Sequence, residues 1–194
     1  MNRKSEGKIF LTGTCGYELT GLCSLLSAQG YDVYPVPPAD SGTPDTPDLV
    51  IVALSAEPVA GWGRHLPWIR ELRARLPGKM LVLVPEKLST LRALQNICQV
   101  HNGCDSLCQL TAIIRAAVSS PREPVTPFAL TPGQRTVLAR LSSQGRDKPL
   151  NLSPRENWMY WHHARLAENV GVRDFRMLLM TGLDREVCRM ENPE

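Results

Sequence analysis

A glycine-containing stretch near the N-terminus, TGTCGYELTG at residues 12–21, holds residue types that could cradle a phosphate or attack a substrate. Phosphate-binding loops require G-x-G-x-x-G or G-x-x-x-x-G-K-[ST], and the chain contains neither. Cys15 precedes a predicted helix, where a thiol can be activated, but no histidine is positioned to serve it as a base. We therefore predict an ordinary strand-to-helix turn with an inert thiol, no cofactor and no enzyme activity.

A dense aromatic run, WMYWHH at residues 158–163, lies between Arg155 and Arg165. One interpretation is a surface that faces nucleic acid. The other is that the tryptophans pack against the first domain or a partner, and the run leaves both open. Adjacent residues on a helix diverge, so His162 and His163 do not predict a metal site.

Helical periodicity separates the two faces of this segment. Met159, Leu166 and Val170 recur at a spacing that places them on one core-facing stripe. The residues directed away from that stripe, some of them outward, are Trp158, Trp161, Arg165 and part of the pair His162 and His163.

A third stretch, PDLVIVALSAEP at residues 47–58, has the composition of a strand buried on both faces. In open α/β proteins the carboxyl end of such a strand is where chemistry usually lies. Here that end carries Ala53 and Leu54. The strand therefore supplies no acid, nucleophile or ligand where one is expected.

The elements around these stretches alternate between strand and helix. Strands are predicted at residues 8–11, 31–36, 49–54 and 80–84, with a fifth between 99 and 108, and helices at 17–29, 66–76, 88–98 and 107–119. This order predicts an α/β domain with a mostly parallel, flavodoxin-like sheet covered on both faces.

The character of the chain changes after residue 119. SPREPVTP, residues 120–127, contains three prolines and predicts a linker. Beyond it only helices are predicted, at residues 130–141, 155–170 and 173–183. We therefore expect an α/β domain over 1–119, a linker over 120–128 and an all-helical domain over 129–194.

Composition predicts a globular protein, because 43% of the 194 residues are hydrophobic and 21% are charged. No apolar run approaches the roughly 20 residues of a membrane span, and no signal peptide is predicted. The six cysteines show no C-x-x-C spacing. Free, buried thiols in a reducing cytoplasm are therefore expected.

The helical region resembles the LuxR-type helix-turn-helix DNA-binding domain. LTPGQRTVLARLSSQG, residues 130–145, is similar to its first helix, and HHARLAENVGVRDFRMLLM, residues 162–180, to its recognition helix and last helix. Between them, Pro149 and Pro154 interrupt the family's scaffold helix. The residues that carry the resemblance are Leu130, Thr131, Val137, Leu138, Leu141, Gly145, His162, Leu166, Val170 and Val172.

The α/β region then resembles the receiver domain that response regulators place before such a helix-turn-helix. The family has an acidic pair after the first strand, where this chain has Thr12 and Gly13, and a phosphorylated Asp at the position of Ala53. Its Ser or Thr after the fourth strand and its Lys after the fifth are also absent. The family's second helix is missing as well. The resemblance implies a degenerate receiver that is not phosphorylated.

Together these resemblances imply a cytoplasmic, bacterial transcriptional regulator that binds double-stranded DNA. It would act as a homodimer or as a heterodimer with an orthodox response regulator, without membrane association. Residues 130–182 hold eight Lys or Arg against four Asp or Glu, which suits phosphate contacts. The predicted DNA-binding residues are Arg146, Lys148, Arg155, Tyr160, His162, His163, Arg165 and Arg173.

A different class of function uses the same surfaces. The interrupted scaffold helix and the tryptophans also fit a module that binds and antagonises a transcriptional regulator without touching DNA. A small flavodoxin-like enzyme is a weaker hypothesis, because no catalytic constellation is evident.

Overall fold

The computed structural model describes residues 6–36, 46–76, 78–120, 128–144 and 157–191. Its strands are β1 (Lys8–Gly13), β2 (Asp32–Pro35), β3 (Leu49–Ala53), β4 (Lys79–Val84) and β5 (Gln99–Asn102). All neighbours pair in parallel, in the order β2-β1-β3-β4-β5. This is the flavodoxin-like order, so the α/β prediction is confirmed, including a fifth strand after residue 99.

The helices of the first region are α1 (Gly16–Ala28), α2 (Leu66–Arg75) and α3 (Leu107–Ser119), and those of the second are α4 (Pro132–Gln144), α5 (Asn157–Val170), α6 (Phe175–Thr181) and α7 (Leu183–Glu191). Described residues beyond 128 contain helices and no strand. In the part of the chain that the structure describes, no helix has the length and apolar character needed to cross a bilayer.

The central strand shows why the sheet is covered on both faces. Every residue of β3 is buried. Leu49 and Ile51 pack with residues of α1 and α3, while Val50 and Val52 pack with residues of α2 on the opposite face. Each such side chain stabilises the fold by about 1.5–3 kcal/mol relative to exposure. The continuous apolar run is thus the sequence that two covered faces require.

The prediction of a helix over 88–98 is wrong. Two short 3-10 helices, Glu86–Leu88 and Arg92–Leu94, stand in its place. Leu91 between them has extended backbone angles, which ends the first turn. The apolar residues that suggested a helix are buried all the same, because they pack against the sheet and the helical region.

The helix predicted over 173–183 is confirmed as α6, Phe175–Thr181, but a further helix that was not predicted, α7, follows it at Leu183–Glu191. Gly182 adopts a left-handed conformation, with φ of 75°, and separates α6 from α7. Such a residue commonly ends a helix. At the other end of α6, the Asp174 carboxylate accepts a hydrogen bond from the Met177 amide at 2.8 Å and caps the helix.

One hydrophobic cluster runs continuously from the sheet into the helical region. It joins Val52 and Trp62 of the first region with Val137, Leu166 and Leu183 of the second. The helical region is therefore packed against the sheet domain. Residues 121–127 of the predicted linker lie outside the described residues, so the domain boundaries remain a prediction.

The cysteine prediction is right only in part. All six thiols are free. Cys98 is buried, and burial raises the pKa of its thiol to about 12. Cys104 and Cys108 are exposed, which corrects the expectation of buried thiols, because both lie in the turn and first helical residues that follow β5.

Candidate functional site: the sheet edge and the outer face of α5

The carboxyl edge of the sheet is closed around Ala53. This residue has no exposed surface and pairs with Gly13 on one side and Leu83 on the other. A Cβ atom on Gly13 would lie 2.3 Å from the Ala53 carbonyl oxygen, so only glycine fits there. The edge therefore presents a methyl group and backbone where a receiver would present carboxylates.

Glu18, in the first turn of α1, reaches across this edge. Its carboxylate accepts hydrogen bonds from the Ser55 amide at 3.2 Å, the Ser55 hydroxyl at 2.5 Å and the Ala56 amide at 3.3 Å. Hydrogen bonds to an ionised acceptor are the stronger kind. The chain thus supplies its own anion to the segment that follows Ala53.

Glu57 forms a second carboxylate contact a few residues later. It accepts hydrogen bonds from the Thr14 hydroxyl at 2.5 Å and from Arg64 at 2.6 Å, and its Oε2 lies 3.3 Å from His65 Nε2. The hydrogen bond from Thr14 lowers the pKa of Glu57 most, partial burial opposes it, and Arg64 lowers it further. Glu57 is therefore a carboxylate at neutral pH.

His65 is buried beside that carboxylate. Burial lowers the pKa of His65 below its ordinary value, and the neighbouring Glu57 only partly offsets this. At neutral pH the ring is therefore neutral and Glu57 holds its charge with Arg64. Among the described residues, no three or more His, Cys, Asp or Glu side chains come together as a metal site.

Sequence reasoning missed both Glu18 and Glu57. An acid in the first turn of a helix usually signals interaction with the helix N-terminus. Neither residue lies at a position where a receiver carries its acids. Only the fold brings Glu18 to Ser55 and Glu57 to Thr14.

The outer face of α5 is open by contrast. Tyr160 and Trp161 are each 57% exposed, and Ala164, Arg165 and Glu168 are exposed beside them. The Arg165 guanidinium lies 5.4 Å from the centroid of the Trp161 ring and forms an ion pair with Glu168 at 2.8 Å. Trp161 and Arg165 therefore lie off the core-facing stripe, as the helical period predicts. That this surface faces nucleic acid stays a prediction. The side chain of Trp158 lies outside the described residues.

The two histidines of the aromatic run point inward. His163 is buried, and its ring stacks on Phe175 with centroids 3.9 Å apart. Burial lowers the pKa of His163 below the ordinary value, and the nearby His162 lowers it further. His162 packs against Gly133 of α4, where a Cβ atom would lie 2.2 Å from its ring. The structure therefore places these two predicted DNA contacts between helices rather than on the outer face.

A polar network holds α5 against α4. The Gln134 side-chain amide donates to the Arg165 carbonyl at 3.0 Å, and the Asn169 amide donates to Gln134 and to the Ala129 carbonyl, both at 3.1 Å. Gln134 also accepts from the Thr131 amide, in the pattern of a capping box. The LTPGQ start of the region thus fixes the position of α5.

The remaining predicted contacts divide into two groups. Arg173, after α5, is exposed and forms an ion pair with Asp174 at 2.9 Å. The Arg173 side chain keeps 78% of its surface accessible. Arg146, Lys148 and Arg155 lie outside the described residues.

A groove runs beside the outer face, between α5 and the start of α6. It encloses about 490 Å³ and is lined mainly by apolar and aromatic surface, including Tyr160, Ala164, Val172 and Phe175. Glu168 and Arg173 contribute to its rim. The outer face of α5 therefore offers both cationic and apolar contacts.

No family model matches this chain, and no curated protein matches it. Among solved structures, full-length FixJ from B. japonicum is similar over 93% of this chain and 99% of its own, at 15% identity and a TM-score of 0.43. The response regulator ChrA of a heme-sensing two-component system is similar over 93% and 98%, at 14% identity and a TM-score of 0.41. Likenesses this low assign neither a family nor a function to the chain.

Proposed function

We propose that the protein is a transcriptional regulator that binds double-stranded DNA through the outer face of α5 and does not depend on phosphorylation. The observation that carries the proposal is the division of α5 into a buried face and an exposed face with Tyr160, Trp161 and Arg165. A helix exposed on one face and fixed on the other has the form needed to enter a major groove. Exposed ion pairs contribute little, so Arg165 and Arg173 can exchange their carboxylates for phosphates.

The sheet domain supports independence from phosphorylation. Phosphoryl transfer to a receiver needs a carboxylate nucleophile and oxygen ligands for Mg²⁺. Ala53 and Gly13 offer neither, and Glu18 and Glu57 already accept hydrogen bonds from the protein itself. The domain would then serve as a dimerisation or docking surface, for a second copy or for an orthodox response regulator in a bacterial cytoplasm.

Binding to a random-sequence duplex at increasing salt tests DNA recognition. We expect affinity to fall steeply with salt, and Arg165→Gln and Arg173→Gln each to reduce the slope of log K against log salt by about one. Arg115→Gln is the matched control, because Arg115 is exposed on α3 and bonds only weakly to Gln29 at 3.3 Å. Binding that ignores salt, or equal slopes for all three variants, would reject the proposal.

Incubation with a small acyl-phosphate donor tests independence from phosphorylation. We expect no acid-labile phosphate on the protein. A phosphate that a substitution in the sheet domain removes would contradict this part of the proposal while leaving the DNA-binding measurement intact.

The groove favours a second candidate function, a module that binds another regulator rather than DNA. Trp, Tyr and Arg are the residues most enriched at energetic centres of protein interfaces. Under this function Trp161→Ala abolishes capture of the partner. The unaltered protein then shows no salt-dependent duplex binding, so Arg165→Gln and Arg173→Gln cannot reduce it. Pull-down of the two kinds of variant from the native cell distinguishes the candidates.

A further inference from the structure

We propose that the carboxylates of Glu18 and Glu57 act as a clamp. They hold residues 55–65 in the one conformation in which this segment contacts α6 and α7. The edge of the sheet where a receiver would be phosphorylated is then a built-in clamp for the helical region. The inference concerns the free protein and does not depend on whether DNA is bound.

The first carboxylate fixes the start of the segment. Backbone N–H groups of Ser55 and Ala56 point toward the sheet edge and need an acceptor, and Glu18 satisfies both together with the Ser55 hydroxyl. A Cβ atom on Gly103 would lie 2.3 Å from the Ser55 Cβ, so the chain after β5 packs directly on this residue. Ser55 is thus held from two sides.

The second carboxylate fixes the middle and the end of the segment. Glu57 is tied to Thr14, which precedes α1, and to Arg64, which lies at the far end of the same segment. The Glu57 side chain is 15% exposed, whereas the Arg64 side chain that it contacts is 58% exposed. Glu57 therefore closes the segment into a loop anchored on the β1–α1 connection.

The other side of this loop carries the helical region. The Gly61 amide donates to the Met180 carbonyl in α6 at 2.9 Å. A Cβ atom on Gly63 would lie 2.9 Å from the carbonyl carbon of Gly182, so the two backbones are in direct contact at the α6–α7 junction. Between these contacts Trp62 is fully buried, and its indole N–H donates to the Leu54 carbonyl at 3.4 Å.

The segment has little regular structure of its own. It contains the 3-10 helix Trp62–His65 and isolated turn bonds from the Glu57 amide to Leu54 and from the Trp62 amide to Val59, both at 3.3 Å, and short 3-10 turns have weak hydrogen-bond geometry. Its shape therefore follows from its anchors, and loss of the carboxylates is transmitted to the backbone that contacts Met180 and Gly182. Thr90 and Gly171 provide a separate contact, with Thr90 Oγ1 donating to the Gly171 carbonyl at 2.9 Å, so the end of α5 has a contact with the sheet domain that does not involve residues 55–65.

Hydrogen–deuterium exchange of the full chain tests the clamp. The variant carrying both Glu18→Gln and Glu57→Gln is expected to exchange about fivefold faster or more over α6 and α7, with exchange of β1, β3 and α5 unchanged. Glu71→Gln is the control, because it removes one acidic charge from a side chain on α2 that is 67% exposed and lies 4.0 Å from Arg75. Unchanged exchange over α6 and α7, or an equal rise in every element, would overturn the proposal.

A substitution at the other side of the loop gives a second, independent measurement. Gly63→Ala introduces a Cβ atom against Gly182, and we expect the same faster exchange confined to α6 and α7. Gly21→Ala is the control, since a Cβ atom there meets nothing within 4 Å. If Gly63→Ala loosens α6 and α7 while the variant carrying both Glu18→Gln and Glu57→Gln leaves them protected, the carboxylates do not act as the clamp.

Discussion

The sheet edge and the outer face of α5 differ in whether their polar groups are enclosed within the chain or exposed at its surface. At the sheet edge, Glu18 and Glu57 accept hydrogen bonds from the chain itself, and Ala53 is fully enclosed. On α5, Trp161 and Arg165 contact each other at the surface and leave most of their area accessible. A region whose donors and acceptors are internally satisfied stabilises one conformation, whereas a region that exposes aromatic and cationic groups is available to a partner.

The difference is between a closed region and an open one. Pairs of identical substitutions, one at a closed position and one at an open position, test whether this division is physical.

Replacing the tryptophans gives the largest expected contrast. Trp62→Ala removes a side chain with no exposed surface, and such cavities cost about 3–5 kcal/mol. Trp161→Ala removes one that is 57% exposed, and we expect a change in the free energy of unfolding within about 0.5 kcal/mol. Urea denaturation measures both. Comparable losses for the two variants would mean that the outer face of α5 is part of the core.

Introducing a carboxylate gives the next contrast. Ala53→Asp introduces a carboxylate at the end of β3, but buries a charge with no partner, at a cost of about 3 kcal/mol or more. Ala164→Asp adds the same group to the exposed face of α5, where it costs about 0.5 kcal/mol in helix propensity. A stable Ala53→Asp protein that accepts phosphate would show that the sheet edge is less closed than its packing indicates.

A single methyl group separates crowded from open positions along the same edge. Gly13→Ala places a Cβ atom 2.3 Å from the Ala53 carbonyl oxygen, and overpacking of this kind costs about 1–3 kcal/mol. Gly16→Ala, at the start of α1, meets nothing within 4 Å and is expected to leave stability unchanged or slightly raised. Thermal unfolding of the pair checks the order.

The sequence predicts the parts of the fold that depend on local patterns. The apolar runs of β3 and β4 are bounded by turn residues, and α3 has both helical spacing and a Ser106 cap with Gln109. Residues 88–98 show the limit of that reasoning. Buried leucines at helical spacing satisfied tertiary packing around Leu91 without forming a helix.

The candidate site could likewise be predicted from the sequence only where a local pattern determines it. The period of α5 predicts that Trp161 and Arg165 lie off the stripe that enters the core. It does not predict that His163 stacks on Phe175, which depends on where α6 begins. The contacts of Glu18 and Glu57 cannot be predicted from local sequence patterns, because their partners are 37 and 43 residues away in sequence.

The smallest expected effect is the pH dependence that the buried histidines impose on stability. Burial lowers the pKa of His65, His101 and His163 below the ordinary value of 6.5. The unfolded chain therefore binds more protons than the folded chain as the pH falls below 6.5, and stability must fall with it. Well above 6.5 these rings are neutral in both states and contribute no slope, and the lowered pKa of Glu57 affects stability only in the more acidic range around and below 4.5. Urea unfolding between pH 8 and pH 5 should show this decline, and His65→Gln should reduce it by removing the ring that lies beside Glu57. If His65→Gln leaves the decline unchanged, the whole effect belongs to His101 and His163. The contact with Glu57 would then keep His65 as easily protonated in the folded chain as in the unfolded one.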